Sequence, residues 1–390
     1  MRVLVATTAG AGHFGPLMPF ARALLNAGHD VVVAAPASFA AAVDRAGFTH
    51  RPFADAPADA MGAVFAGLRG LSNEEGNEVV VRDVFGRLDA QAALPGLRAL
   101  LDEWGPDLVV REASEFASYV AAQAAGLPCV EVAVGLAAFD ERFLPQLEAP
   151  LAEMGAHGGV RGLQSAPRLS LVPELLEDPG VTGSSRTMRF RDAGPSATAD
   201  ALPDWWAGAS DPLVYVTFGS VAGGLGLFPD FYQQVVSAVS DLPIRMLVTI
   251  GDAGDPEVLR PLPANVHVEN WWPQQAVMPH VDAIVGHGGF GTTLTALASG
   301  VPLVVLPLFA DQPYNAARVA AVGAGITLEG GRAAIGQLNG AVQRVLTEAS
   351  FRENARRIAD EVERLPPAED SVPFLEGLTG YHRSAGSGAP

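Results

Sequence analysis

Short apolar runs alternate along the chain with amphipathic stretches, and this alternation is typical of parallel β-strands joined by α-helices. In the first half the pattern predicts strands at Val3–Ala6, Val31–Ala35, Leu108–Val110 and Cys129–Val134. It predicts helices between them at Leu17–Asn26, Ala37–Ala46 and Phe116–Ala125. The first half is therefore predicted to form one doubly wound α/β domain.

A second set of apolar runs begins after residue 212. The predicted strands are Leu213–Phe218, Met246–Ile250, Ala283–Val285 and Leu303–Leu306, and the predicted helices are Asp230–Ser240, Thr292–Ser299, Ala316–Ala321 and Ala333–Glu348. The whole pattern predicts an α/β protein of two doubly wound, Rossmann-like domains that face each other across a cleft.

The segment between the two sets, residues 157–212, is rich in Gly, Pro, Ser and Asp, so we expect the linker to fall there. The predicted organisation is an N-terminal domain (1–200), a linker (201–212), a C-terminal domain (213–365), a final helix that packs back on the N-terminal domain (366–383) and a disordered tail (384–390). Met61–Leu88 has mixed charge and no clean period, and we expect it to be a long mobile excursion that lines a ligand cleft.

Composition excludes several classes of function. The chain has 43 acidic and 25 basic side chains, a net charge of −18 and no basic stripe, so nucleic acid is excluded as a main partner. Every basic side chain is Arg, and without Lys neither a pyridoxal phosphate Schiff base nor a Walker-type phosphate lysine can form. The single Cys129 allows no internal disulfide. With neither a signal-peptide pattern nor an apolar run of membrane-spanning length, we expect a cytoplasmic protein.

The first predicted strand runs into a glycine-rich turn, residues 10–15 (GAGHFG), which matches the Gly-x-Gly-x-x-Gly fingerprint of dinucleotide-binding enzymes. That fingerprint also requires an acidic residue at the end of the second strand, where this chain has residues 34–36 (AAP). An NAD(P)-dependent oxidoreductase is therefore an alternative that lacks part of its motif. His13 lies in the same turn at the start of a helix, where the neutral imidazole suits a general base, although the histidine can also simply cap the loop.

A second glycine-rich turn, residues 286–293 (GHGGFGTT), also joins a predicted strand to a predicted helix. Backbone amides at such a helix start can bind an anion, and small residues let phosphate oxygens approach closely. His287 can donate a hydrogen bond to a diphosphate, and Thr292 offers a hydroxyl. The alternative is a plain turn with a satisfied histidine.

These turns belong to a longer pattern. Residues 287–297 (HGGFGTTLTAL), 300–302 (GVP) and 311–316 (DQPYNA), preceded by 271–274 (WWPQ), resemble the C-terminal donor-binding motif of family 1 glycosyltransferases. Gly10–Arg22 resembles the Gly-His-x-x-Pro opening of antibiotic and macrolide glycosyltransferases. The resemblance spans nearly the whole chain and implies the two-domain GT-B fold.

The resemblance implies a donor site in the second domain. It implies that the Trp271 indole stacks on the nucleobase and that Trp272 packs in the core. The implied diphosphate site comprises His287, Gly288, Gly289, Gly291 and Thr292, with Ser220 as a second phosphate contact; Asp311 and Gln312 are implied to bind the hydroxyls of the donor sugar.

In the first domain, the resemblance implies that His13 is the general base of an inverting transfer and that a carboxylate supports its imidazole. Glu112 falls where the family usually has Asp, just past a strand end, and Glu115 follows one helical turn later. Glu112 is the expected partner, with Glu115 as the alternative.

One departure bears on the donor: Thr295 stands where relatives that use ribonucleotide sugars commonly carry Glu. Because Thr cannot make the bidentate ribose contact of Glu, we expect a dTDP-activated deoxysugar donor. No Asp-x-Asp is present, so we expect no metal and no cofactor. Apolar segments at Met61–Leu71 and Phe139–Leu147 favour a hydrophobic natural-product acceptor, glycosylated on oxygen or carbon, unless both are ordinary surface helices. A catalytically silent sugar-nucleotide-binding homologue is the other alternative, and a homodimer is an open expectation.

Overall fold

The computed structural model describes residues 1–181, 186–192, 194, 210–219, 226–251 and 254–380. The described residues form two compact units. The first takes its residues from Met1–Val172, Pro179–Ala193 and Leu365–Pro390, and the second from Pro173–Asp178 and Gly194–Arg364. Most of the predicted linker and all of the predicted disordered tail lie outside the described residues.

The first unit is built on a seven-stranded parallel sheet with the strand order β3-β2-β1-β4-β5-β6-β7. Its strands are β1 (Arg2–Ala6), β2 (Asp30–Pro36), β3 (Thr49–Phe53), β4 (Leu108–Glu112), β5 (Cys129–Val132), β6 (Arg168–Ser170) and β7 (Thr187–Arg189). The α-helices are α1 (Ala11–Phe14), α2 (Met18–Asn26), α3 (Ala40–Arg45), α4 (Ala58–Gly67), α5 (Asn73–Val79), α6 (Ala90–Trp104), α7 (Ala117–Ala125), α8 (Ala137–Phe143), α9 (Glu148–Glu153), α10 (Gly159–Ser165) and, from the end of the chain, Val372–Leu378.

The second unit has a six-stranded parallel sheet with the order β10-β9-β8-β11-β12-β13. Its strands are β8 (Leu213–Thr217), β9 (Arg245–Thr249), β10 (Val266–Glu269), β11 (Ala283–Gly286), β12 (Leu303–Val305) and β13 (Gly325–Thr327). Its helices are α11 (Asp230–Val239), α12 (Gln274–Val277), α13 (Phe290–Ala298), α14 (Gln312–Ala321), α15 (Leu338–Thr347) and α16 (Ala349–Arg364).

Continuous apolar strands arise because both faces of the sheets are covered. Along β1, Val3 and Val5 pack into a core on one face, whereas Leu4 packs into a second core on the other. Val372 and Leu375, in the C-terminal helix α17 (Val372–Leu378), belong to the first of these cores. The predicted α/β class with two doubly wound sheets is confirmed.

Five strands escaped the prediction: Thr49–Phe53, Arg168–Ser170, Thr187–Arg189, Val266–Glu269 and Gly325–Thr327. Each is short, carries polar residues or lies toward a sheet edge, so it has no apolar run. Met61–Leu88, expected to be a long mobile excursion, is largely helical, so the absence of regular structure inferred from its missing period was wrong, whereas its mobility stays a prediction. It contains the end of α4, the whole of α5 and most of a π-helix, Val80–Asp89, whose wider turn hides the usual 3.6-residue period.

Candidate active site

The first candidate group lies at the carboxyl ends of β1 and β4, two neighbouring central strands. Ala6 of β1 is in register with Arg111 of β4, so Glu112 ends β4 beside the turn that follows β1. His13 lies in the single helical turn α1 of that loop. The parallel pairing therefore places side chains 99 residues apart in sequence next to each other.

His13 and Glu112 form a hydrogen-bonded pair. Nδ1 of His13 lies 3.2 Å from Oε2 of Glu112, and the carboxylate is fully buried while the imidazole remains one-quarter exposed. Oε1 of Glu112 accepts hydrogen bonds from the backbone N–H and the hydroxyl of Thr8, and Oε2 accepts one from the N–H of Ser114. Burial acts to raise the pKa of Glu112, but the charge of His13 and these hydrogen bonds hold it below its ordinary value. Glu112 is thus an ionised carboxylate that is held in place, and the imidazole of His13 that it contacts remains accessible to a ligand.

Glu115, the alternative partner, is occupied elsewhere. Its carboxylate accepts hydrogen bonds from the backbone N–H groups of Ala117 and Ser118, both at 3.0 Å, at the start of α7. Burial raises its pKa to about 7. Of the two candidate carboxylates, Glu112 is the one within hydrogen-bond distance of His13.

The π-helix adds groups that sequence reasoning missed. The Phe85 ring packs 5.3 Å from the imidazole of His13, between ring centroids. Asp89, the last residue of the π-helix, is partly buried; burial raises its pKa to about 6, and the charge of His13 opposes that rise. Sequence analysis did not identify these residues because the side chains of a π-helix, which has i→i+5 hydrogen bonds, do not follow the spacing of an α-helix.

A cavity of about 270 Å³ opens within the first unit beside Phe85. Apolar side chains form much of its wall: Val81, Phe85, Phe116, Phe139, Phe143, Leu144, Leu147 and Leu163. The predicted acceptor segment Phe139–Leu147 supplies four of these, whereas Met61–Leu71 supplies none. The cavity also has a charged side, formed by Glu131, Asp140, Glu141, Arg168 and Arg186.

The second candidate group lies in the turn between β11 and α13 of the other unit. Gly288 has a φ of 84°, and a Cβ there would come within 2.7 Å of Val305 Cγ1. A Cβ on Gly289 would come within 2.5 Å of the His287 Nε2. A side chain at either position would therefore collide with Val305 or with His287. Glycine avoids both collisions beside the backbone amides that open α13.

His287 is only 9% exposed. Burial lowers its pKa to about 4, with the Thr217 backbone acting in the opposite sense. The imidazole is therefore neutral at pH 7 and carries a single N–H, for which the Thr217 backbone competes, while Nδ1 is buried and has no hydrogen-bond partner among the described residues. This state suits a hydrogen-bond donor and does not supply a full positive charge.

The threonines of α13 are held by local hydrogen bonds. Thr292 Oγ1 accepts a hydrogen bond from Gln274 Nε2 at 3.1 Å. Thr295 Oγ1 donates to the carbonyl oxygen of Gly291 at 2.8 Å, one helical turn earlier. No atom lies within 4 Å of a Cβ built on Gly291, so that position faces open space.

The predicted nucleobase contact, Trp271, is 70% exposed and therefore available for stacking. Trp272 is half-buried, so the expectation of a core position for it holds only in part. Ser220, the predicted second phosphate contact, lies outside the described residues.

The predicted sugar-binding pair is anchored to the β12–α14 loop and to α14. Oε1 of Gln312 accepts hydrogen bonds from the backbone N–H groups of Leu308 and Phe309. Asp311 Oδ2 accepts one from Asn315 Nδ2 at 2.7 Å, and the same amide donates to the carbonyl oxygen of Gly288 at 2.9 Å. Sequence reasoning missed Asn315, although its i,i+4 spacing from Asp311 on a helix could have revealed it.

Among the described residues, no group of three or more His, Cys, Asp or Glu could hold a metal ion. No helix within this part of the chain is long and apolar enough to cross a bilayer.

Comparison with known proteins links both groups to one family. Models of the erythromycin biosynthesis protein CIII-like N-terminal and C-terminal domains match residues 22–156 and 233–378. The chain is 30% identical to the 4'-demethylrebeccamycin synthase of Lentzea aerocolonigenes, over 97% of this chain and 99% of that protein. It is 29% identical to the TDP-daunosamine transferase DnrS of Streptomyces peucetius, over 100% of this chain and 99% of that protein.

Among solved structures, the glycosyltransferase SsfS6 of Streptomyces sp. SF2575, complexed with thymidine diphosphate, is 28% identical to the chain. The alignment covers 97% of this chain and 99% of that one, with a TM-score of 0.76. This likeness agrees with the two-domain fold that the motifs predict.

Proposed function

The chain belongs to the erythromycin biosynthesis protein CIII-like family of antibiotic glycosyltransferases, and from this premise we propose a specific reaction for it. The protein transfers a deoxysugar from a dTDP-sugar to a hydroxyl, or a carbon, of a hydrophobic natural-product acceptor, with inversion at the anomeric carbon. The observation that carries the proposal is the contact of 3.2 Å between His13 and the buried Glu112 at the end of two central strands.

His13 is the proposed general base. Its Nδ1 is turned to Glu112, which leaves Nε2 to take the proton of the acceptor hydroxyl as that oxygen attacks the anomeric carbon. The carbon–oxygen bond to the nucleoside diphosphate breaks in the same step. Glu112 fixes the tautomer and stabilises the imidazolium that forms.

The departing diphosphate is the proposed ligand of the turn after β11. The N–H groups that open α13 carry the positive end of the helix dipole, and His287, with its proton on the unpartnered Nδ1, is the further proposed donor. Gly288, Gly289 and Gly291 let the phosphate oxygens approach. Thr292 is a further proposed contact. We propose that these groups act without a metal ion.

The proposed sugar site is Asp311 with Gln312. The Gln312 carbonyl oxygen is used by the backbone, so its amide N–H₂ is the end that can donate to a sugar hydroxyl. Asp311, held by Asn315, accepts from a neighbouring hydroxyl. Trp271, largely exposed, is the proposed platform for the thymine base.

The preference for deoxyribose rests on Thr295. Its hydroxyl donates to the Gly291 carbonyl, and its one oxygen cannot accept from both ribose hydroxyls as a carboxylate can. A 2′-deoxyribose lacks the hydroxyl that such a ligand would bind. The thymidine diphosphate in the SsfS6 complex and the TDP-sugar in the name of DnrS agree with this preference.

Thermal unfolding with dTDP, UDP or NAD at matched concentration tests the donor. A ligand at about 100 times its dissociation constant adds roughly 2.7 kcal/mol to the free energy of unfolding. We expect a large rise in Tm with dTDP and little with UDP or NAD, and a gain for UDP in Thr295→Glu. Equal shifts for both nucleotides would overturn the deoxyribose preference, and a shift with NAD alone would overturn the transferase assignment.

A further inference from the structure

The charged side of the cavity in the first unit is not used by the reaction proposed above. It contains two cations, Arg168 and Arg186, in a cavity that is otherwise lined largely by apolar side chains. A cavity for a purely apolar acceptor has no need of buried charges, because removing them from water costs free energy. The ion pairs and hydrogen bonds of the arginines in this region show which of them can bind an anionic group of a ligand.

Two arginines of this region are neutralised by carboxylates. Arg111, which is fully buried, donates from Nη2 to Glu131 Oε2 at 2.5 Å. Arg168 lies 3.5 Å from the other oxygen of Glu131, Nε to Oε1, and also forms an ion pair with Asp140. The network Arg111–Glu131–Arg168–Asp140 is therefore internally paired.

Arg186 differs from both. Its Nη1 donates to the main-chain carbonyl oxygens of Leu163 at 3.3 Å and Ala166 at 2.8 Å. Among the described residues no carboxylate lies within ion-pair distance of its guanidinium. Burial lowers its pKa, and the more distant charge of Glu131 opposes this without forming an ion pair with Arg186.

We propose that Arg186 determines acceptor specificity by binding an anionic oxygen of the acceptor, such as a carboxylate. Both carbonyl contacts are made by Nη1, which leaves the N–H groups of Nε and Nη2 for a bidentate ligand of the cavity that Arg186 lines. The apolar wall then holds the ring system of the same molecule. This inference rests on the proposed function, since it takes the cavity to be the acceptor site.

Glu141 also lines this side and bears on the strength of anion binding. Its negative charge raises the pKa of Arg186, although the two side chains do not form an ion pair. An incoming anion is repelled by Glu141 while Arg186 attracts it. Neutralising Glu141 should therefore strengthen the binding of an anion, and neutralising Arg186 should weaken it.

Two fluorescent probes of the same ring system test this: 8-anilino-1-naphthalenesulfonate, an anion, and N-phenyl-1-naphthylamine, its neutral counterpart. We expect Arg186→Gln to weaken binding of the anionic probe by about tenfold and to leave the neutral probe within twofold, since a charge-assisted hydrogen bond is lost. Glu141→Gln should tighten the anionic probe alone. Arg161→Gln, which removes an exposed arginine of α10, is the matched control and should change neither.

Cavity-filling variants locate the probes. Leu144→Trp, or Val81→Phe if the first variant does not fold, should abolish binding of both probes. Binding that survives in a folded filling variant, an anionic probe unaffected by Arg186→Gln, or failure of the wild type to bind either probe would each overturn the inference.

Sugar transfer separates this inference from the proposed function. The dTDP-induced rise in Tm should be the same in wild type and Arg186→Gln, because Arg186 and the donor site belong to different units. If neutral and carboxylated phenols are both glycosylated but Arg186→Gln does not change their ratio of kcat/KM, the role of Arg186 is wrong and the transferase stands. If no acceptor is glycosylated while the anionic probe still requires Arg186, the binding site stands and the proposed reaction is wrong.

Discussion

The two glycine-rich turns look alike in sequence and differ in electrostatics. Each follows a central strand of a parallel sheet and carries one histidine, His13 after β1 and His287 after β11. His13 is one-quarter exposed and hydrogen-bonded to a buried carboxylate, whereas His287 is nearly buried and has its pKa lowered to about 4. One histidine is placed to exchange a proton with solvent or substrate, and the other is kept neutral.

Burial lowers the pKa of His287, and the neighbouring strands add to the difference through the side chains at their ends. β4 ends in Glu112 beside the first turn, and the strands on either side of β11 end in Thr217 and Val305. A turn sequence alone therefore does not assign a role to its histidine. The role depends on which side chain the parallel register brings to the same sheet edge.

The largest expected effect comes from His13→Ala. Without the base we expect kcat to fall by roughly 10²- to 10⁴-fold, the usual contribution of general acid–base catalysis. The affinity for dTDP, measured by calorimetry, should stay within about twofold of wild type, since His13 and the donor site lie in different units. Unchanged turnover would contradict the role of His13, and a wild-type protein that binds dTDP but transfers no sugar would favour the silent sugar-nucleotide-binding homologue.

The two carboxylates near β4 form a matched pair of variants. Glu112→Gln removes the acceptor of the imidazole N–H, and we expect kcat to fall by about 10²-fold. Glu115→Gln neutralises a buried glutamate three residues away that caps α7, and kcat should remain near that of wild type. Steady-state kinetics of both variants check the prediction. A greater loss in Glu115→Gln would reverse the assignment.

Glu112 and Glu115 should change the free energy of unfolding in opposite directions as the pH rises. The raised pKa of Glu115, about 7, means that the folded state binds the proton more tightly than the unfolded state. Its contribution should therefore decline as pH rises from about 4.5 to 7, by up to about 3 kcal/mol, and Glu115→Gln should remove that decline. Glu112 has a lowered pKa in the folded state, so it stabilises the fold at pH values above its unfolded pKa. This stabilisation is lost as the pH falls. Urea unfolding at several pH values measures both slopes.

The smallest effect is expected at His287. His287→Ala should weaken dTDP binding by about tenfold through the loss of one hydrogen bond to a charged oxygen. His287→Gln keeps a neutral donor, and its dTDP affinity should follow the same pH dependence as that of wild type between pH 5.5 and 8, because a group with a pKa of about 4 does not titrate there. A steeper pH dependence in wild type would mean that His287 binds as a cation.

The sequence allowed prediction of features that depend on local pattern. Val31–Ala35 is a long apolar run and was found, whereas Arg168–Ser170 is three residues long and was not. Glu112 could be named because a strand end and a family motif coincide there. Phe85 and Arg186 could not, because one depends on a π-helix and the other on carbonyl oxygens at the end of α10, about 20 residues earlier in the chain.

Nitrogen-15 NMR of histidine side chains tests the central contrast most directly. With resonances assigned by His13→Ala and His287→Ala, we expect the His287 ring to remain neutral from pH 7.5 to 5.5, as its pKa of about 4 requires. The His13 ring should change its resonances when Glu112 is replaced by Gln, and His287 should not. A His287 ring that becomes protonated above pH 6, or a His13 ring that is insensitive to Glu112→Gln, would contradict the account.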